Sequence, residues 1–278
     1  MRSHSLISRH DAGKWRSFAA KLAFLAGFGC ILLCAGCRSH GSNVLRVGIT
    51  PGPAEEILHA AEPELTRQGI ELKIVRFSDY IQPNMALASH DLDANLYQNA
   101  AFLNQFNHDH QTSFVSIGRV YLPLMAIYPG RTKILAALGT GARIAIPNDP
   151  VNHDRALLLL EKAGLLQLAH DPQKASMQIT VNPRKLQLVE LDAAQLPRSL
   201  ADVDAAVINA NFALDAGLNP HTGSLLSETE DSPYANVLAV NADKVSDPNA
   251  RALITALTST TAREFISSHY NGAVYPAR

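Results

Sequence analysis

Short apolar runs of strand length alternate with helical runs along most of this chain, and this alternation narrows its possible folds more than any other property of the sequence. The strand-like runs are VLRVGIT, IELKIVRF, DLDANLY, ARIAIP, LQLVEL and DAAVIN. The first two are separated by an amphipathic stretch from Ala54 to Arg67, which we predict to be a helix with a kink at Pro63. Strands that alternate with helices are typical of parallel sheets. The sequence therefore predicts an α/β fold in which helices flank mostly parallel sheets.

Two longer apolar runs divide the chain. SFVSIGRVYLPLMAIYP lies near residue 120, and SPYANVLAV lies near residue 236. If both runs cross between two lobes, residues 44–121 and 236–278 form the first lobe and residues 122–235 form the second. Ligands of open α/β folds bind beyond the carboxyl ends of strands, often between domains. The loops after the strands are therefore the first candidates for a binding site.

The first 36 residues differ from the rest. Five basic side chains and one acidic side chain precede an apolar run, LAFLAGFGCILLCAGC. This run is too short and too rich in glycine for a typical membrane-spanning helix. We predict a signal peptide over residues 1–36. The run ends in LLCAGC, which is similar to a bacterial lipobox and predicts lipidation of Cys37, although Cys34 stands where leucine is usual. The alternatives are an ordinary cleaved signal and a retained anchor.

The cysteines and charges describe the product of that cleavage. All three cysteines, Cys30, Cys34 and Cys37, lie in this segment, so the remaining chain has no thiol for a disulfide, a metal site or a nucleophile. Removing residues 1–36 leaves 19 Lys and Arg against 24 Asp and Glu. Such an acidic balance is not typical of nucleic-acid binding, so we expect no nucleic-acid partner. The predicted product is an exported globular domain, held at the membrane by the lipid on Cys37 and a tether over residues 37–43.

Arg155 stands at an unusual place. It falls in the first turn of a predicted helix, where the helix dipole is already positive. Either Asn152 or Asp154 would cap this helix, and a ligand carboxylate could then meet both the guanidinium and free backbone N–H groups. The alternative is a surface arginine paired with Asp149 or Asp154. Spacing alone does not decide between these two interpretations.

Six blocks of the chain resemble the methionine-binding lipoprotein family of bacterial ABC importers, the NlpA type. They are VGITPGPAEEIL, FSDYIQPNMAL, DLDANLYQNAAFL, IPNDPVNHDRALLLLEKAGLL, ELDAAQLPRSLADVDAAVIN and SPYANVLAV. The blocks run from about Val44 to Asn241 in family order. The resemblance implies a two-lobed periplasmic-binding-protein fold, type II-like with two crossovers, that closes on an amino acid and delivers it to a permease with a separate ATPase subunit.

The resemblance also implies roles for particular residues. Arg155 would hold the carboxylate of the ligand. Further side chains would line the cleft: the amides of Asn152, Asn209 and Asn236, the aromatic ring of Tyr97 and, by proximity to the same motifs, Asn211 and Tyr121.

Some positions depart from the family pattern. Asn99 replaces a histidine, Ala101 replaces a proline, and Phe102 and Phe212 stand where tyrosine is usual. Because Asn99 and Phe102 fall at the edge of the implied cleft, we include them among the ligand-binding candidates. A site built for one pattern of hydrogen bonds rejects close analogues. L-methionine, D-methionine, another apolar amino acid and a short peptide therefore all stay open as ligands.

Three classes of function follow. The first is a monomeric, lipid-anchored substrate-binding protein of an ABC importer, facing the periplasm from the inner or the outer membrane, without cofactor, metal or catalysis. The second is an enzyme on the same fold, but the amide-rich loops offer no nucleophile and base, and the NHDH cluster at residues 107–110 is a weak metal candidate. The third is a surface lipoprotein or adhesin that kept the fold and changed or lost the ligand.

Overall fold

The computed structural model of the chain describes residues 43–169 and 177–278. The predicted signal peptide over residues 1–36, the predicted lipidation site Cys37 and the tether up to residue 42 lie outside these residues. Among the residues described, no helix combines the length and the apolar character needed to cross a bilayer.

The strands and helices follow the alternation of the sequence. The strands are β1 (Val44–Ile49), β2 (Glu71–Arg76), β3 (Ala94–Asn99), β4 (Phe114–Pro123), β5 (Ala126–Pro129), β6 (Arg143–Pro147), β7 (Gln167–Ala169), β8 (Gln178–Val181), β9 (Gln187–Leu191), β10 (Ala205–Ile208), β11 (Leu226–Ser227), β12 (Asn236–Asn241) and β13 (Val274–Pro276). The α-helices are α1 (Pro53–Arg67), α2 (Gln82–Ala88), α3 (Ala100–His110), α4 (Pro150–Lys162), α5 (Leu196–Ser199), α6 (Ala210–Asp215), α7 (Pro248–Leu257) and α8 (Thr260–His269). The predicted α/β class is confirmed.

The strands form two larger sheets. The first sheet has the order β13-β4-β12-β3-β1-β2, and the second has the order β11-β5-β10-β6-β9. The chain passes from the first sheet to the second between β4 and β5, and it returns between β11 and β12. These passages fall within the two long apolar runs of the sequence or at their edge.

The sheets are mixed, and most strands of each sheet run in one direction. Strand β1 is parallel to β2 and β3, but β12 is antiparallel to both β3 and β4. In the second sheet β10 is parallel to β6 and antiparallel to β5. Parallel neighbours need a crossover connection, usually a helix, whereas antiparallel neighbours do not.

Local sequence explains how α4 begins. Pro150 occupies the first helical position, where a missing N–H costs nothing, and Asp149 is the N-cap, with its Oδ1 accepting a 2.9 Å hydrogen bond from the backbone N of Asn152. The prediction that Asn152 or Asp154 caps the helix was wrong, because the helix starts one turn earlier than either residue requires. Leu157, Leu159 and Leu160 are buried in the core of the second sheet. That packing fixes α4 and, with it, the direction of its first turn.

Candidate ligand-binding cleft

A cavity lies where the carboxyl ends of β3, β6 and β10 meet the end of β4 and the start of β12. Its walls therefore come from both large sheets and the loops that follow their strands. The lining residues are Tyr80, Tyr97, Gln98, Asn99, Phe102, Pro123, Asn152, Arg155, Asn209, Ala210, Asn211 and Asn236.

The structure brings together most of the residues selected from the sequence. Those that line the cavity are Tyr97, Asn99, Phe102, Asn152, Arg155, Asn209, Asn211 and Asn236. Tyr121 is the exception: it is buried in β4, and its hydroxyl accepts a 3.0 Å hydrogen bond from Nδ2 of Asn236. Tyr121 was selected because it lies close in sequence to the lining motifs, but in the structure it lies behind the wall of the cavity.

Arg155 is buried, with 3% of its surface exposed, and its charge is already paired within the protein. Its Nε and Nη2 donate to the two carboxylate oxygens of Glu228 at 2.7 and 2.5 Å, and Nη2 also donates to the carbonyl of Pro123 at 2.9 Å. The Tyr234 ring stacks on the guanidinium, with its centroid 4.6 Å from Cζ. Burial acts to lower the pKa of Arg155, but the adjacent Glu228 outweighs it and the pKa is raised. Neither Asp149 nor Asp154 pairs with this arginine, so the surface interpretation is wrong.

One nitrogen of the guanidinium stays available. Among the described residues, Nη1 of Arg155 makes no hydrogen bond, whereas Nε and Nη2 are fully committed. Glu228 is anchored in turn, because its Oε2 accepts a 2.9 Å hydrogen bond from the backbone N of Met125. Sequence reasoning missed Glu228, which lies 73 positions from Arg155 and carries no motif.

Aromatic side chains form one wall of the cavity. The Tyr80 ring stacks on Tyr97 with centroids 5.9 Å apart, meets the edge of Phe102 at 5.8 Å, and contacts Phe212 at 5.2 Å. Burial raises the pKa of both Tyr80 and Tyr97, so each hydroxyl stays protonated. Tyr80 lies in the FSDYIQPNMAL block but was not selected from the sequence. The wall suits an apolar side chain.

Asn99 does two things at once. Its Oδ1 caps α3 by accepting a 3.0 Å hydrogen bond from the backbone N of Phe102. This cap directs the side chain, and among the described residues Nδ2 is left without a partner. Gln98 differs, because both ends of its amide pair with Asn84 at 2.8 Å.

The amides of the second sheet form a chain of hydrogen bonds. Nδ2 of Asn152 donates to both carboxylate oxygens of Asp149 at 3.0 Å, and Oδ1 of Asn152 accepts a 2.8 Å hydrogen bond from Nδ2 of Asn209. The Oδ1 of Asn209 is buried and has no partner among the described residues. Burial is the main reason that the pKa of Asp149 is raised.

The amide nitrogen of Asn236 and both ends of the Asn211 amide are hydrogen-bonded to protein groups. Nδ2 of Asn236 donates to the carbonyl of Tyr97 at 2.8 Å as well as to Tyr121. Oδ1 of Asn211 accepts a 2.7 Å hydrogen bond from the Tyr80 hydroxyl, and its Nδ2 donates to Oγ1 of Thr50 at 3.3 Å. Asn211 follows β10 of the second sheet, whereas Thr50 follows β1 of the first. Its amide therefore links the two sides of the cavity.

Two mixed sheets joined by two crossovers, with a polar and aromatic cavity lined from both, define a two-lobed substrate-binding protein. The comparison with known proteins identifies the family: the sequence model described as NlpA lipoprotein matches residues 45–278, and the chain belongs to that family.

Individual relatives agree with this assignment. The D-methionine-binding lipoprotein MetQ of Salmonella typhi is 35% identical over 268 residues, which cover 94% of this chain and 97% of that protein. A nutrient-binding protein from Burkholderia cenocepacia bound to methionine is 39% identical, with a TM-score of 0.80 over 84% of this chain and 100% of that one. An ABC transporter periplasmic substrate-binding protein from Coxiella burnetii is 44% identical, with a TM-score of 0.79 and the same coverage.

Proposed function

We propose that the chain captures one free amino acid, methionine or a close relative, in this cavity and delivers it to the permease of an ABC importer. A single observation carries the proposal. One cavity has an aromatic wall and presents a guanidinium nitrogen of Arg155 and a buried acceptor on Asn209, neither of which has a partner in the described part of the chain. A zwitterionic amino acid offers a carboxylate for the first, an ammonium for the second and a side chain for the third. The named ligands of MetQ and of the Burkholderia protein support methionine.

The free hydrogen-bonding groups of the cavity fall into a set of donors and a set of acceptors. Arg155 Nη1 and Asn99 Nδ2 are donors, and they suit the carboxylate. Asn209 Oδ1 and Asn236 Oδ1 are acceptors without partners among the described residues, and they suit the ammonium. The proposed ligand-binding set is thus Arg155, Asn99, Asn209 and Asn236 for the charged groups, with Tyr97 and Phe102 beside the side chain. Asn152 acts through Asn209, while Asn211 and Tyr121 hold protein groups in place.

The remaining parts of the proposal concern the whole protein. Residues 44–121 with 236–278 form one lobe and residues 122–235 the other, because the strands of each large sheet come almost entirely from one of these parts. The lipid on Cys37 anchors the protein in the cell envelope with its cleft facing the periplasm, where a permease and its ATPase subunit receive the ligand. The membership of a lipoprotein family supports this location.

Native mass spectrometry of residues 38–278 tests the binding function directly. The protein is weighed as purified, then unfolded, refolded and titrated with L-methionine, D-methionine and other apolar amino acids. A one-to-one complex whose added mass disappears on unfolding supports the proposal and identifies the ligand. If none of these amino acids forms a complex, the proposal fails and the surface lipoprotein or adhesin takes its place.

A further inference from the structure

The Oδ1 of Asn209 is the most informative atom of the cavity. Asn209 is 6% exposed, lines the cavity, and its Oδ1 is buried without a hydrogen-bond partner among the described residues. A buried acceptor without a partner is costly, so such groups are normally satisfied by the protein or by a ligand. An incoming group with N–H donors would satisfy it.

The orientation of the Asn209 amide is set by a residue that does not line the cavity. The carboxylate of Asp149 can only accept, so Nδ2 of Asn152, at 3.0 Å from both of its oxygens, must face it. Oδ1 of Asn152 must then face Asn209, whose Nδ2 donates to it at 2.8 Å. That contact leaves Oδ1, and not Nδ2, as the free end of Asn209.

We propose that Asp149 is a positioning residue that makes the cavity selective for the ammonium group of its ligand, by fixing the orientation of Asn152 and, through it, of Asn209. This inference rests on the proposed function, because it concerns the amino-acid ligand of the same cavity. It adds a specificity determinant that does not touch the ligand. A merely structural N-cap would stabilise α4 without affecting which ligands bind.

Asp149→Asn separates these two roles. Asparagine is as good an N-cap as aspartate, so the start of α4 is retained. The cap keeps Oδ1 of the new amide toward the backbone N of Asn152, which leaves its Nδ2 in the place of the second carboxylate oxygen. Asn152 then turns its own Oδ1 toward that donor, and Asn209 turns its Nδ2 toward the cavity. The ammonium group now meets a donor where the wild type offers an acceptor.

The measurement is the ratio of two dissociation constants. One is for L- or D-methionine, whichever binds more tightly, and the other is for 4-(methylthio)butanoate, the same molecule without its amino group. We expect Asp149→Asn to lower this discrimination by about tenfold, the effect of one charge-assisted hydrogen bond, while affinity for the acid changes less. The matched control is Asp247→Asn, which alters another Asp-Pro N-cap, that of α7, and should leave the ratio unchanged.

A double variant that reverses the direction of this chain of hydrogen bonds provides the decisive test. In Asp149→Asn/Asn209→Asp the new amide donates to Asn152, Asn152 donates to the new carboxylate, and an acceptor again faces the cavity with the same total charge. We expect the double variant to return the discrimination to within about threefold of wild type.

The possible outcomes are distinct. If Asp149→Asn discriminates as wild type does, or if the double variant stays as poor as the single one, the positioning role is overturned while the proposed function stands. If the wild type binds neither methionine nor any other amino acid, the proposed function fails and this inference fails with it.

Discussion

Glu228 accepts hydrogen bonds from two of the three guanidinium nitrogens of Arg155, at 2.7 and 2.5 Å, although the two residues are 73 positions apart in sequence. The pair is almost fully buried, with 3% of the Arg155 side chain and 11% of the Glu228 side chain exposed. It turns an arginine in the first turn of a helix into a nearly neutral part of the cavity wall. Within the described part of the chain, Nη1 is the one guanidinium nitrogen of Arg155 without a hydrogen bond, and it is left to meet a ligand.

Arg155→Met tests both roles of this arginine. The variant leaves a carboxylate buried without its partner, so we expect the free energy of unfolding to fall by about 3–5 kcal/mol. Amino-acid affinity should fall by about ten- to a hundredfold, which corresponds to one charged hydrogen bond of about 1.5–3 kcal/mol. Chemical unfolding gives the first quantity, and calorimetric titration gives the second.

The double variant Arg155→Met/Glu228→Gln distinguishes binding from folding. A neutral amide at position 228 needs no counter-charge and can still accept from the backbone of Met125. We therefore expect most of the lost unfolding free energy to return and the affinity to stay low. Recovery of affinity together with stability would show that Arg155 supports the fold and does not hold the ligand.

The first residues of the chain offer a separate prediction. Trp15 is the single tryptophan, so cleavage before Cys37 yields a protein with tyrosine emission only. Cys37→Ser should block processing and leave tryptophan fluorescence in the membrane-extracted protein. The control Cys34→Leu restores the usual lipobox residue and should be processed normally. Tryptophan emission from the wild-type mature protein would contradict both the signal peptide and the lipidation site.

The raised pKa of Asp149 predicts a pH dependence of stability. Burial raises the folded-state pKa of Asp149 above its ordinary value of 3.8. Its contribution to the free energy of unfolding is therefore fully present below the unfolded-state pKa. That contribution is lost as pH rises through the raised folded-state pKa. Arg155 and the hydrogen bonds from Asn152 oppose the shift without cancelling it. The unfolding free energy of wild type relative to Asp149→Asn should therefore increase as pH falls from 7 toward 3.5. A relative decrease over that range would show that the carboxylate is stabilised, and not strained, by its surroundings.

Local patterns in the sequence predict much of the fold, but they do not predict which distant strands and side chains pair with each other. The strand runs and the two crossovers could be predicted from hydrophobic spacing. Most cavity residues could be predicted from the family resemblance, which places them in motifs next to strand ends. The pairing of Glu228 with Arg155 could not be predicted, because the two residues are far apart in sequence and meet only through the crossover between the sheets. The antiparallel placement of β12 was missed for the same reason. Tyr121 failed in the opposite way: it lies close to the lining motifs in sequence, but it is buried in β4 and contacts Asn236 without lining the cavity itself.

Gly52 lies against Asn211 at the contact between the two sides of the cavity. Its φ is 109°, and a Cβ at this position would come within 2.7 Å of the Asn211 Cα and 2.8 Å of its carbonyl oxygen. Backbone atoms cannot move aside as a flexible side chain can. Gly52→Ala should therefore hold the two sides apart, and the overlap is comparable to an overpacked core, about 1–3 kcal/mol.

We expect Gly52→Ala to weaken amino-acid binding by about ten- to a hundredfold, because it separates the two sides that together line the cavity. Gly69→Ala is the matched control: Gly69 also has a positive φ, of 72°, but a Cβ there meets nothing within 4 Å. Both variants lose stability from backbone strain, and calorimetric titration separates them because only Gly52→Ala should also lose affinity. Equal affinities in the two variants would mean that the contact between Gly52 and Asn211 does not affect ligand binding.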